Sequence, residues 1–418
     1  MVSSSLKIST IISILLLIYA FHVGVGVEMP FINIVGNFGI GDLAIIVLTI
    51  IHLTKTAGIS QKVLIPALIP IIIGVISLIS WFISELYSGY SVNAFGYLFR
   101  WFWYGLIIII VSRSIFEYST IYRCFIFILL GNILMVSLVW ISWYEAPSYY
   151  FGLPSVGHTD YFNSNSVAYY STLALPNIWL IYQSKIRKLH KFILIVAALV
   201  FVITIALTFS KAGWGMLVIL YALFLYKVLL SKRIKAIKKL FLLLPIFFVI
   251  FYSFTIVGTI EGRVDGSKSS NTQRVEMINH AFNNAIENPI LGSGPKSFSY
   301  IGHDLFNWKS IDPHNAYAQI SSDTGFLSLA LYILFLLIFM KYIFSLRRTK
   351  LNFLIGPYLG YLFVYISMGF VTGLTVYDKS MWFVFALLFS TVQYLKLHSS
   401  GISKKTFFYK LSKENHEI

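Results

Sequence analysis

The sequence predicts an all-α polytopic membrane protein of about twelve transmembrane helices, and three observations predict it. Of the 418 residues, 58% are hydrophobic and only 11% charged, less than half the charged share of an ordinary soluble domain. Apolar runs recur from Ile8 to His398 with short polar breaks, where a soluble chain of this length would divide into domains joined by polar linkers. The 32 basic residues outnumber the 16 acidic ones, yet they gather in alternate breaks. A water-soluble globule is excluded, and residues 1–418 read as a single integral membrane domain.

Lipid cannot satisfy backbone groups, so each span must bond its own as a helix of roughly 20 apolar residues. In chain order, the runs that meet this need are residues 8–27, 39–54, 63–83, 95–111, 121–143, 166–182, 192–208, 212–230, 239–257, 316–344, 352–371 and 381–397. The first has only Lys7 before it and no small-residue cleavage site, so it reads as an uncleaved first helix. Lys and Arg accumulate in cytoplasmic loops. With the amino terminus inside, those loops carry Lys55 and Lys62, Arg113 and Arg123, Lys185 to Lys191, Lys232 to Lys239, Arg347 to Lys350, and the tail after Lys396. The opposite breaks hold Glu28, Asp42, Glu85, Glu145 and Asp160 with few basic residues. Both termini are therefore expected in the cytoplasm, and the formal charge of +16 is a consequence of topology. Its natural partner is anionic membrane lipid and not nucleic acid. The single Cys124 lies inside an apolar run, which rules out an intrachain disulfide framework or a paired-thiol site and leaves it a packing role.

Short basic inner loops leave the polar outer segments to hold chemistry. One runs from Tyr144 to Asn165 and is rich in aromatic and small polar residues, among them His158, Asp160 and Asn163-Ser-Asn165. The other, a large extracytoplasmic loop over residues 259–315, is the longest polar stretch in the chain. Within it Val275, Ile278, Phe282 and Ile286 recur every three or four residues after the capping candidates Ser270 and Asn271. This predicts an amphipathic helix on the outer membrane face, with Arg274 in its first turn, where exposed amides and a cation could hold a phosphate. Pro289 stops the helix, Gly292-Ser-Gly294-Pro makes a tight turn, and Asp312-Pro-His314-Asn315 closes the segment. Arg263, Arg274, Lys296 and Lys309, with Lys211 from the short turn Ser210-Lys-Ala-Gly213, are the cations available to a pyrophosphate.

Four blocks resemble the bacterial O-antigen ligase and polymerase family of membrane glycosyltransferases. They are Asn163-Ser-Asn165 with its apolar run to Pro176; the Ser210-Lys211-Ala-Gly213 turn, with lysine where the family usually has arginine; Arg274 followed by Glu287-Asn-Pro289-Ile-Leu-Gly292-Ser-Gly294 and Phe298; and His314-Asn315 with Gly325 leading into a span. The third is the most specific. The resemblance implies a glycan donor on undecaprenyl diphosphate, transfer to an acceptor hydroxyl without metal or other cofactor at the outer face of the bacterial inner membrane, and a chain-length regulator as a further partner. It also implies roles: His314 as general base, Arg274 and Lys211 on the departing pyrophosphate, and Asn315, Asn165, Arg263 and Lys296 as substrate-binding residues.

Polymerisation of lipid-linked repeat units for O-antigen, capsule or exopolysaccharide is the favoured function, with ligation to lipid A core as the alternative. A flippase or transporter is the rival of another class. Transporters place ionisable groups near the midplane, whereas Arg100, Asp42 and His22 fall at span ends here. The pairs His303-Asp304 and Asp312-x-His314 fit no established metal pattern, and Gly292-Ser-Gly294-Pro-Lys296-Ser297 lacks the full phosphate-loop spacing. The aromatics around Tyr149 read as an interfacial belt.

Overall fold

The computed structural model describes residues 2–26, 33–35, 38–53, 61–88, 95–115, 117–150, 153–156, 163–184, 186–229, 264–298, 313–371 and 378–399. The expected span 239–257, with His158, Asp160, Arg263 and Asp312, lies outside these residues. The described helices are α1 (Val2–Val25), α2 (Ile40–Leu53), α3 (Gln61–Ser88), α4 (Phe95–Ser114), α5 (Tyr118–Glu145), α6 (Ser164–Tyr182), α7 (Lys188–Leu207), α8 (Lys211–Leu229), α9 (Val264–Glu287), α10 (Ala316–Ser345), α11 (Ile355–Gly369) and α12 (Lys379–Ser399). Two small antiparallel hairpins join them, β1 (Asn33–Val35) with β2 (Phe38–Gly39) and β3 (Tyr149–Tyr150) with β4 (Leu153–Pro154).

Among the described residues, five helices are long and apolar enough to cross a membrane: Ile8–Val25, Val63–Ser84, Tyr118–Glu145, Lys188–Leu207 and Ala316–Arg348. Shorter apolar helices lie at Ile40–Leu53 and Lys211–Tyr226. The all-α membrane class holds, on five clear spans by this measure where the apolar runs led us to expect about twelve. Outward-facing residues such as Ile46, Val47 and Ile50 of α2 or Leu199 and Ile203 of α7 are exposed, as a surface solvated by lipid tails requires.

The last helix is the middle of the bundle. Every residue from Met381 to Phe389 of α12 is buried. Trp382 stacks on Tyr104 of α4 at 4.6 Å between centroids and meets Phe335 of α10 at 4.9 Å. Elsewhere small residues allow backbones to approach: a Cβ at Gly131 of α5 would stand 2.4 Å from the carbonyl oxygen of Phe21 on α1.

Contacts between helix termini sort the bundle into two ends. At one, the last turns of α2 and α4 meet through His52 Nε2 and Ser114 Oγ, 2.8 Å apart. Here also lie Arg113, Arg123, Arg187, Lys188, Lys191, Arg347, Arg348 and Lys350, with Glu117 the acid beside them. At the other end α6, α8, α10 and α12 begin and α3 and α11 finish: Gly213 of α8 abuts Ala168 of α6, while Gly356 at the start of α11 touches Trp179 near the finish of α6.

One helix is broken. Gly325 of α10 has φ 80° and ψ 170°, a backbone region open essentially to glycine alone. Residues 316–324 thus form a separate short section before the long one that follows.

Candidate functional site

The short section of α10 and the turn after α9 complete each other's backbone hydrogen bonds. Phe326 N–H donates to Pro289 O at 2.8 Å, Ser293 N–H to Ser322 O at 2.9 Å, and Gly294 N–H to Asp323 O at 3.0 Å. The break at Gly325 leaves carbonyls and amides without helical partners, and the Pro289–Gly294 turn supplies them. That explains the Gly-x-Gly spacing: Gly292 has φ 66° and Gly294 φ 103°, and a Cβ on Gly292 would lie 2.5 Å from the Asp323 backbone. Ser84 Oγ of α3 donates to Ser293 O at 2.5 Å, tying the turn to the bundle.

The register between α9 and the short section follows from two pairings. Met277 and Ala281 pack with Ala318 and Phe298, and Asn284 Nδ2 donates to Ser322 Oγ at 2.7 Å. Both sets of positions advance in the same sense, so the helices run parallel. Arg274 precedes Met277 and Ile278 by one turn on the same stripe, which brings it to the end where α10 begins with His314 and Asn315. The start of the helix differs from the expected one. The helix starts at Val264, so Ser270 and Asn271 lie inside it and not at its start. The buried positions are Met277, Ala281 and Ala285, while Val275 and Ile286 are exposed. Small side chains face α10 because the helices pack closely there; this face meets protein.

His314 is exposed and has φ 48°. Asn315 behind it is buried and caps α10, its Oδ1 accepting from Tyr317 N–H and Ala318 N–H, both at 3.0 Å. Its Nδ2 donates to Phe370 O at 3.5 Å. Asn315 therefore serves first to fix the backbone that presents the imidazole.

The Asn163–Asn165 block and the Ser210–Gly213 turn also come together. Ser210 Oγ donates to Asn165 Oδ1 at 2.7 Å and accepts from Gly213 N–H at 3.1 Å, capping α8 and leaving Lys211 exposed in its first turn. Among the described residues the non-glycine positions with positive φ are Phe209 (51°), Lys296 (65°) and His314 (48°). All three fall in these segments, where the surrounding structure holds the backbone in a sparsely populated region. Lys296 is half-buried in the turn closed by Ser297 N–H to Gly294 O at 3.0 Å.

One buried polar cluster escaped the sequence reading. Asp42, at the start of α2, accepts from Gly39 N–H at 2.8 Å, from Trp103 Nε1 of α4 at 3.0 Å and from Lys379 Nζ of α12, with His22 Nε2 of α1 at 3.9 Å. Next to Lys379, Asp378 accepts from Tyr169 Oη at 2.5 Å and Tyr170 Oη at 3.4 Å, and from Ser380 through both its backbone N–H, at 3.0 Å, and its hydroxyl. Tyr169 is one turn beyond Asn165 on α6, so this cluster underlies the Lys211 turn. His22 and Asp42 do sit near helix ends, as expected, but they are buried. The pair was hidden because Asp42 and Lys379 are 337 residues apart; the readable signal was a lysine and an aspartate directly before an apolar run.

Fold and site together define a multi-helix membrane protein whose polar chemistry is gathered at one end of the bundle. A family model described as O-antigen ligase matches residues 194–333, a stretch that holds the Lys211 turn, Arg274, the Gly-x-Gly turn, His314 and Gly325. Over it the chain is similar to that family, consistent with a member of the O-antigen ligase and polymerase group that the sequence blocks resemble. No curated protein matches the chain.

Proposed function

We propose that the chain is a membrane glycosyltransferase that moves a glycan from undecaprenyl diphosphate to a hydroxyl on another lipid-linked repeat unit, and so a polysaccharide polymerase. The observation that carries this reading is Arg274 on the packed stripe of α9, at the end of a parallel helix pair whose other member begins with His314. A guanidinium suits a diphosphate through its bidentate fork, and imidazole exchanges protons near neutrality. In the reaction the acceptor O–H gives its proton to His314, its oxygen bonds to the anomeric carbon, and the carbon–phosphate oxygen bond breaks. The diphosphate leaves on its lipid, its growing charge held by Arg274 and Lys211. Arg263 and Lys296 would support the same anion, and Asn165 and Asn315 would position its binders.

The rule that Lys and Arg stay inside, applied to the basic end of the bundle, supports a site at the outer leaflet of a bacterial inner membrane with both termini in the cytoplasm. An outer site has no nucleotide supply, which fits a donor carried by lipid. Ligation to lipid A core is the second reading, favoured by the match to a family described as O-antigen ligase. Purified protein given a lipid-diphosphate glycan tests both: a ladder of lengthening lipid-linked glycans indicates polymerase, and transfer confined to added lipid A core indicates ligase. His314→Ala and His314→Gln should each lose turnover by about 10²–10⁴-fold while donor binding survives. A His314→Gln enzyme with wild-type rate from pH 5 to 9 would remove the base.

A further inference from the structure

Asn284 sits ten residues beyond Arg274 on α9 and uses both ends of its carboxamide on other segments. Its Nδ2 donates to Ser322 Oγ of the short α10 section at 2.7 Å, and its Oδ1 accepts from Ser293 Oγ of the Gly-x-Gly turn, also at 2.7 Å. The three segments whose relative placement decides where Arg274 and His314 lie thus meet at one side chain. Met277, Ile278, Ala281 and Phe282 of α9 also pack with Phe298 and Ala318, apolar groups whose attraction has no direction and tolerates sliding. A slip of one residue along α9 would advance Arg274 by about 1.5 Å and rotate it by about 100° off the stripe that leads to His314. The two Asn284 bonds, together with the backbone bonds of the adjoining Pro289–Gly294 turn, oppose that slip.

We propose that Asn284 is a positioning residue for glycosyl transfer, locking the register of α9 against the short α10 section so that Arg274 and His314 act on one substrate. This rests on the roles assigned to those two residues above. Its consequence is specific to turnover: misplacing a catalytic pair by about 1 Å costs about 10²-fold in rate, whereas donor affinity, shared with Lys211 on a different turn, changes little.

Serine hydroxyls can donate as well as accept, which gives a clean test. Asp at position 284 could accept from both Ser293 and Ser322 and keep the lock; Leu, of similar size, could do neither. Rates and donor KM should be measured for purified Asn284→Asp and Asn284→Leu, normalised to folded protein by size-exclusion profile and thermal unfolding. Asn284→Leu is expected to lose kcat by about 10–100-fold with donor KM within about twofold, and Asn284→Asp to stay within about threefold of wild type in both. Ser293→Ala, which breaks one bond of the two, should fall between and guards against a leucine variant that fails to fold. Wild-type kcat in folded Asn284→Leu overturns the proposal. So does an Asn284→Asp enzyme as slow as Asn284→Leu, because the amide itself would then be needed, as in contact with a sugar. If Arg274→Ala and His314→Gln both keep full turnover, it is the assignment of the site that fails; if they lose it while Asn284→Leu does not, the register role alone is refuted.

Discussion

Removing either member of the buried Asp42–Lys379 pair should cost far more than removing both. Asp42 is fully buried and has three donors, Gly39 N–H, Trp103 Nε1 and the Lys379 ammonium. Lys379→Met leaves a buried carboxylate with two neutral donors, and Asp42→Asn leaves a buried ammonium facing a weak acceptor. Stranding one charge of a buried pair costs about 3–5 kcal/mol. In Asp42→Asn/Lys379→Met neither charge of the pair remains, and the asparagine oxygen can still accept from Trp103 or Gly39. Beyond the pair's own bond, one neutral donor then loses its acceptor, about 1–2 kcal/mol. The two single costs would sum to about 6–10 kcal/mol, so the double-mutant cycle should give a coupling of at least about 4 kcal/mol. Unfolding by SDS from mild detergent micelles, followed by tryptophan fluorescence, measures all four proteins. Additive losses, or a single variant costing under about 1 kcal/mol, would refute the buried ion pair.

Three further outcomes are expected. Arg274→Ala should abolish polymer and Arg274→Lys keep a small fraction, since a point charge replaces a fork; glycan ladders from cells with matched protein levels check this. Gly325→Ala should destabilise by about 1–3 kcal/mol from its positive φ alone, and more because its Cβ would stand 2.4 Å from Ile290 O, which reduced abundance and a lower detergent Tm would register. In a Cys124→Ser background, cysteine at Ser269 should react with an impermeant label from the non-cytoplasmic side, and labelling only after the inner side is opened would reverse the topology.

Much of the fold was legible because lipid imposes one rule on every span: the run must be apolar and long enough to bond itself. The blocks around Asn165, Lys211, Arg274 and His314 were legible because each is local, a few residues with turn-forming or charged side chains at fixed spacing. What stayed hidden depends on partners distant in sequence. The spacing gave Val275, Ile278, Phe282 and Ile286 as the apolar face of α9, and only the close approach of α10 shows Met277, Ala281 and Ala285 to be its buried positions. Gly325 lay inside a run that satisfies a continuous helix, and only the docked turn makes its break favourable. The roles of Asn315 and Asn165 as a cap and a hydroxyl acceptor needed coordinates, because the same side chains could equally have faced a sugar.

The central place of α12 makes the order of synthesis part of the structure. Asp42 enters the membrane near the beginning of translation, and its counter-ion is made 337 residues later. At about 5–20 residues per second that interval is roughly 20–70 s. Through it the early helices hold a carboxylate without its ammonium, around a space that Trp382 and Phe385 will fill. Until α12 arrives, the described helices around it lack its buried aromatic side chains and the Lys379 ammonium. A chain cut before Lys379 would keep nearly all of its apolar spans yet expose an unneutralised acid and a hollow centre, a state that membrane quality-control proteases are suited to detect. Closing the centre of the described bundle thus waits on α12.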